Sequence, residues 1–240
     1  MTNRSTPTGS GGKATRMGLN VLAKSMHRRP NAWRDTTPKP ANTTVTPCFT
    51  PGTLIETARG QQPVESLHVG DKILTRDNGL QPIVWVGSKH FSGRDLAANP
   101  HLKPVLIRQG AFGNGLPERD MRLSPNHRVL VSSEQTALYF KEREVLVSAK
   151  HLINNRGVFE VHSLGTTYIH FMFDRHEVVL SNGSWSESFQ PADRSLKGIG
   201  NAQRNEILEL FPKLRSKSGT YVFPTARRTL KRTELDHLID

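Results

Sequence analysis

Short runs of β-branched and apolar residues, separated by turn residues, dominate one stretch of the chain, residues 48–75. Its sequence is CFTPGTLIETARGQQPVESLHVGDKILT. Glycine, proline and aspartate favour the backbone conformations of tight turns, so they mark where such runs end. Turns are predicted at Pro51-Gly52, Arg59-Gly60 and Gly70-Asp71. The stretch therefore predicts strand, turn, strand, turn and strand, and argues against a helix.

The same patterns predict strands through most of the downstream chain and a helix near its end. Strands are expected over residues 80–91, 104–109, 129–131, 158–164 and 166–173, with a strand and a short helix over 141–153. Beyond Pro191 the apolar residues fall at helical spacing, which predicts a helix over residues 201–214.

Residues 48–75 resemble the first block of the Hint superfamily, through the pattern C-F-x-P-G-T-x-I-x-T followed by G-x-x-x-V-E-x-L-x-x-G-D-x-I-L-T. That superfamily comprises the self-splicing domains of inteins, the autoprocessing domains of hedgehog proteins and bacterial intein-like domains. The resemblance is greatest to the bacterial proteins and extends over about residues 48–189. It implies an all-β Hint fold, a horseshoe-like disc of curved strands, here followed by a short helical C-terminal extension.

Two later blocks strengthen the resemblance. The sequence SPNH, Ser124 to His127, stands where Hint domains have T-x-x-H before an apolar strand. In a third block, YIHFMFDRHEVVLSNG, His176 falls at the position of an intein histidine. His176 is either a catalytic residue or a histidine that bonds backbone at a strand end. Asp174 and His170 are candidates for a general base, or for structural hydrogen bonding.

Cys48, the one cysteine of the chain, is the candidate nucleophile, because a thiol has a free pKa of about 8.5 and is reactive at neutral pH. Attack on the Pro47 carbonyl would convert the Pro47–Cys48 amide to a thioester. Amide resonance resists this step, so a general acid has to protonate the nitrogen. The resemblance assigns the acid role to His127 and positioning of the amide to Ser124. Water, an amine, a thiol or an alcohol would then attack the thioester.

Two departures from inteins argue against full protein splicing. Splicing needs a histidine and a terminal asparagine at the downstream junction, where this chain has Glu187 and Ser188. The residue before the nucleophile is Pro47, whose ring restricts the backbone at the bond to be broken. We therefore expect an acyl shift followed by cleavage or transfer, with the N-terminal segment as a substrate in cis.

The net charge of +12 is carried by the two ends of the chain. Residues 1–47 carry +7 and residues 194–240 carry +5, whereas residues 48–193 sum to zero. These differences predict a flexible basic N-terminal segment (1–47), a Hint domain (48–190) and a helical, basic C-terminal extension (191–240). Because the predicted domain is neutral, we expect no specific nucleic-acid partner.

Other site classes have little support in the sequence. The ten histidines are scattered without the spacing of zinc ligands, and no G-x-S-x-G elbow of a serine hydrolase is present. We therefore expect no cofactor and no metal. The sequence shows no pattern of a transmembrane segment or of a signal peptide, so we expect a cytoplasmic or non-classically secreted location.

Two functions from different classes fit these observations. The first is single-turnover autoprocessing through a Cys48 thioester, with Ser124, His127, His170, Asp174 and His176 as the other site residues. The second is a non-catalytic module that uses the same β-scaffold for interaction. Chain cleavage at Cys48 in the presence of a thiol distinguishes the two.

Overall fold

The computed structural model of the protein describes residues 46–215 and 223–237, which belong to one compact unit that spans 40–240. The prediction of a flexible N-terminal segment falls on residues outside the described ones, apart from Thr46 and Pro47. Both of these residues are buried.

Strands make up most of the regular structure, in agreement with the predicted all-β class. They are β1 (Leu54–Thr57), β2 (Gly60–Pro63), β3 (Lys72–Thr75), β4 (Gly79–Pro82), β5 (Trp85–Ser92), β6 (Val105–Ile107), β7 (Met121–Leu123), β8 (Arg128–Ser132), β9 (Glu144–Ser148), β10 (Val158–Glu160), β11 (Gly165–Met172), β12 (Val178–Ser181), β13 (Ser184–Glu187) and β14 (Arg228–Thr229). The predicted strand 80–91 is two strands, β4 and β5. After β2 the chain forms a 3-10 turn, Val64–Ser66, where a strand was expected.

Four α-helices lie between and after the strands of the described residues. They are α1 (Gly93–Ala98), α2 (Glu134–Phe140), α3 (Asp193–Gly198) and α4 (Asn201–Leu210). The predicted helix 201–214 is α4 followed by a 3-10 turn, Pro212–Arg215. Among these helices, none is long and apolar enough to cross a membrane.

The described strands form three sheets. The largest has the order β14-β9-β8-β13-β12-β1-β3-β4, with β2 paired to β1. A second sheet has the order β10-β6-β7, and the long strands β5 and β11 form an antiparallel pair. Alternating buried and less buried residues in β5 give this strand one face towards the core, whereas β11 is buried on both faces over its last five residues.

The C-terminal residues pack on the strands. Leu196 of α3 and Ile207 of α4 join Trp85, Met172 and Phe189 in one buried cluster. Strand β14 adds in parallel to β9 at the edge of the largest sheet. The predicted extension therefore contributes to the hydrophobic core of this compact unit.

Candidate active site

Phe49 fixes the position of the neighbouring Cys48. It pairs antiparallel with Ile169 of β11, through N–H to O distances of 2.8 and 2.9 Å, and it also bridges Leu123 at the end of β7. In antiparallel pairing, the residue before one partner lies opposite the residue after the other. This register places Cys48 opposite both His170 and Ser124, two residues that the sequence predicted for the site.

The Cys48 thiol is buried, with 3% of the residue exposed. Its Sγ lies 2.9 Å from Nδ1 of His170 and 3.1 Å from the carbonyl oxygen of Thr46. Burial raises the pKa of the thiol well above its usual value, while the hydrogen bond from Ser124 acts in the opposite direction. The resting group is therefore a neutral thiol that contacts a potential proton acceptor.

Ser124 binds both sides of Pro47. Its Oγ accepts a hydrogen bond from the Cys48 backbone N–H at 2.9 Å and donates one to the Thr46 carbonyl at 2.7 Å. The Ser124 N–H donates to the Cys48 carbonyl at 3.0 Å. A single buried hydroxyl thus contacts the nitrogen of the Pro47–Cys48 amide and holds the residue that precedes Pro47.

His127 lies one turn beyond Ser124, to whose carbonyl its N–H donates at 3.0 Å. The imidazole is 1% exposed and packs edge-on against Phe49, with 4.4 Å between the ring centroids. Within the described residues, neither ring nitrogen has a hydrogen-bond partner. Burial lowers the pKa of His127 to about 4, although the Glu187 carboxylate acts to raise it. The side chain is therefore neutral at neutral pH.

His170 contacts the opposite side of the thiol. Its ring is stacked on Trp85, with a centroid distance of 5.6 Å and an interplanar angle of 10°. Burial, with a smaller effect from Lys89, lowers the pKa of His170 to about 3. Nδ1 contacts Cys48, whereas Nε2 is buried without a partner in the part of the chain that the structure describes.

A small pocket of about 10 Å³, with room for about one water molecule, adjoins Cys48 and His170. Phe91, Leu102 and Tyr168 supply apolar walls, and the Lys89 side chain adds a positive charge. Gly198 of α3 closes one side, so the C-terminal extension is part of the pocket wall.

Comparison with protein families matches a Hint domain to residues 47–193, more than half of the chain. The chain belongs to the Hint domain family. The match begins one residue before Cys48, so the candidate nucleophile stands at the start of the Hint domain. No curated protein sequence matches the chain significantly.

Several solved structures of Hint-type domains are similar to the chain at low sequence identity. A bacterial intein-like domain from Clostridium thermocellum is 13% identical with a TM-score of 0.38, over 59% of this chain and 97% of that one. A DnaB intein from Synechocystis sp. PCC 6803 is 8% identical with a TM-score of 0.39, over 60% of this chain and 99% of that one.

In this Hint domain, His176 belongs to a buried group around Glu187, whose carboxylate also acts on the pKa of His127. Nε2 of His176 lies 3.2 Å from a carboxylate oxygen of Glu187, and its Nδ1 accepts a hydrogen bond from the Ala226 N–H at 3.0 Å. Arg128 contacts the same carboxylate, with 2.9 Å from its Nε to the nearest oxygen. Burial acts to raise the pKa of Glu187, but Arg128 and His176 outweigh burial and the pKa is lowered. His176 thus accepts a hydrogen bond from the backbone and lies next to Glu187.

Of the six predicted site residues, Ser124 and His170 both contact Cys48, and His127 packs against Phe49, the next residue of the chain. His176 is buried in the Glu187 group, and Asp174 is exposed in the bend between β11 and β12. Sequence reasoning missed Thr46, Lys89 and the Arg128–Glu187 pair. The pairing of Phe49 with Ile169 and Leu123 brings Cys48 to its partners, and this pairing is set by tertiary structure and not by a local sequence pattern.

No three of the His, Cys, Asp and Glu side chains in residues 46–215 and 223–237 lie together so as to hold a metal ion.

Proposed function

We propose that this Hint domain is an autoprocessing domain in which Cys48 attacks the Pro47 carbonyl and converts the Pro47–Cys48 amide to a thioester. One observation carries the proposal: Ser124 Oγ contacts the nitrogen of that amide, while His170 contacts the sulfur that would attack it. These contacts support the proposal, and the second histidine, His127, packs against Phe49, the residue after Cys48.

The reaction is a rearrangement in which a proton moves, in sum, from the Cys48 thiol to its backbone nitrogen. We assign His170 as the acceptor of the thiol proton, because its Nδ1 is in contact with Sγ. His127 is neutral in the resting site, so it first takes up a proton from His170 or from solvent. As the new C–S bond forms and the C–N bond breaks, the protonated His127 donates this proton to the departing nitrogen. Ser124 keeps the nitrogen in place throughout.

We do not extend the proposal to full splicing. The downstream junction has Glu187, which pairs with Arg128, and Ser188, whose Oγ accepts a hydrogen bond from the Glu177 N–H at 2.9 Å. Neither side chain supplies the asparagine chemistry that splicing requires. Cleavage or transfer of the segment before Cys48 is the expected outcome, and Asp174 remains a prediction for the attack by water.

The test is the intact mass of the denatured protein after incubation with and without dithiothreitol or hydroxylamine. We expect masses that correspond to cleavage between residues 47 and 48, formed faster with the added nucleophile. Cys48→Ala, a small apolar substitution at a buried position, is expected to abolish these masses. Cleavage at the same bond in Cys48→Ala would overturn the mechanism, and an intact wild-type chain would support the non-catalytic interaction module.

A further inference from the structure

Helix α4 lies beyond the residues that match the Hint family, yet it is bonded to β5, the strand that pairs with the strand of His170. Gln203 Nε2 donates to the Ser88 carbonyl at 2.8 Å. Glu206 Oε2 accepts a hydrogen bond from the Trp85 indole Nε1–H at 3.0 Å. Residues three apart lie close together on a helix surface, so both bonds join the same side of α4 to β5.

The Trp85 indole reaches from β5 to His170. In the β5–β11 pair, Trp85 is opposite Met172 and Gly87 is opposite His170. The indole lies over Gly87, where an added Cβ would be 2.3 Å from its Cη2 atom. The glycine therefore leaves the space in which the indole stacks on the imidazole, with 5.6 Å between the ring centroids and 10° between the planes.

The bond to Glu206 favours this orientation of the indole. The Trp85 residue is 1% exposed, and Glu206 supplies a hydrogen-bond acceptor for its N–H. A buried N–H that loses its acceptor costs free energy, so the ring is held where the bond can form. In that position its face lies against His170, whose Nδ1 is 2.9 Å from Cys48 Sγ.

We propose that Glu206 is a positioning residue for autoprocessing: it fixes the Trp85 indole, and the indole holds the His170 imidazole in contact with the Cys48 sulfur. This inference rests on the proposed function, in which His170 takes the thiol proton. Proton transfer depends on the alignment of donor and acceptor, so a ring that is less well held accepts the proton more slowly. A helix outside the matched Hint residues thereby supports the reaction.

A merely structural role for Glu206 gives a different result. Such a role would lower the stability of the protein without changing the reaction rate of its folded molecules. One hydrogen bond contributes little compared with the stability of a domain, so nearly all molecules of a Glu206 variant should remain folded. A slower reaction of the variant under native conditions then reports on the site and not on unfolding.

The kinetic experiment measures cleavage of the full chain by intact mass, at a dithiothreitol concentration high enough that the acyl shift limits the rate. We expect Glu206→Leu to slow cleavage by about 3- to 10-fold, because it removes the acceptor. Glu206→Gln keeps an oxygen that accepts the same bond and should react within about twofold of the wild type. Glu209→Leu, a change at another exposed glutamate of α4, is the matched control and should keep the wild-type rate.

A double-mutant cycle tests whether Glu206 acts through Trp85. Trp85→Phe keeps an aromatic ring and removes the indole N–H. In the Trp85→Phe background, Glu206→Leu is expected to cause no further loss of rate, because its partner is already absent. An equal fold-loss in both backgrounds would overturn the proposed route.

The nuclear magnetic resonance signals of the His170 ring, recorded without added thiol and assigned with His170→Gln, give a readout that does not need cleavage. The ring current of a stacked indole shifts these signals, so Glu206→Leu should move them, whereas Glu206→Gln and Glu209→Leu should not. Unmoved signals or a wild-type cleavage rate in Glu206→Leu would overturn the inference. Absence of cleavage in the wild-type chain would instead overturn the proposed function, and the ring signals would still decide whether Glu206 positions His170.

Discussion

Ser124 contacts both ends of the segment Thr46–Pro47–Cys48 through one hydroxyl group. We predict that Ser124→Ala slows thiol-induced cleavage by about 10- to 100-fold, because the amide N–H and the Thr46 carbonyl lose a buried partner. The same loss should cost about 1–3 kcal/mol of unfolding free energy. Cleavage rates by intact mass and urea denaturation measure the two effects.

Ser124→Thr is the matched control for this change. Threonine keeps the hydroxyl and is the residue that the Hint pattern has at this position, so we expect a rate within about threefold of the wild type. A rate for Ser124→Ala equal to that of the wild type would show that the hydroxyl holds the backbone without assisting the reaction.

At the scale of single residues, the sequence indicated the polar contacts of Cys48, the candidate nucleophile, better than the electrostatic surroundings of these groups. Cys48, Ser124 and His127 stand in motifs of fixed order and spacing, and such motifs can be recognised in the sequence alone. Glu187 and Lys89 stand in no such motif. Glu187 is fully buried because Arg128 and His176 come from other elements to pair with it, and the sequence has no local sign of that pairing.

The sequence patterns did not predict the short helices that lie between the strands. Helices α1 and α2 have six and seven residues, too short for a clear apolar period. Their starts did carry a signal, since Ser92 with Asp95 and Ser133 with Thr136 form reciprocal side-chain to backbone hydrogen bonds. The strands were easier to predict because their turns are rich in glycine and proline, although pairing partners such as β14 and β9 are set by tertiary packing.

Helix α4 provides a prediction about the C-terminal extension. Ile207 is fully buried against the Trp85 cluster, whereas Leu210 on the same helix is 52% exposed. Ile207→Ala should reduce the free energy of unfolding by about 2–5 kcal/mol, because it leaves a cavity. Leu210→Ala should change it by less than about 0.5 kcal/mol. Urea denaturation of both variants is the measurement, and equal effects would mean that α4 is not packed as described.

Over the whole molecule, the excess positive charge and the candidate site are separated along the chain. The excess of +12 resides before and after the neutral residues 48–193, whereas the buried site lies within them. The charges that act on the candidate site are therefore local ones, chiefly Lys89, Arg128 and Glu187.

The buried histidines predict how the stability of the whole protein depends on pH. The pKa of His127 falls from 6.5 to about 4 on folding, so below pH 6.5 the unfolded chain binds a proton that the folded chain does not. The stabilisation from this group is complete above pH 6.5 and is lost as the pH falls towards 4, a loss of about 3 kcal/mol. The lowered pKa of His170 acts in the same direction.

We therefore predict that urea midpoints decrease steadily between pH 6.5 and 4. In His127→Gln, which has no group that titrates in this range, the decrease should be smaller. The comparison is between slopes, so a constant cost of the substitution does not affect it. Parallel curves for the two proteins would contradict a buried, neutral His127.

The contacts of Thr46 bear on the fate of the cut chain. Its carbonyl accepts a hydrogen bond from Ser124 and is in contact with Cys48 Sγ, and its hydroxyl donates to the Ser195 carbonyl of α3 at 3.3 Å. None of these contacts passes through the peptide bond that the reaction would break. A nicked molecule should therefore remain a non-covalent complex, in which the new C-terminus stays seated between the domain and its extension. The two fragments would then separate by a slow dissociation that has its own rate. In gel filtration, the cleaved protein would elute as a single peak long after the peptide bond is broken.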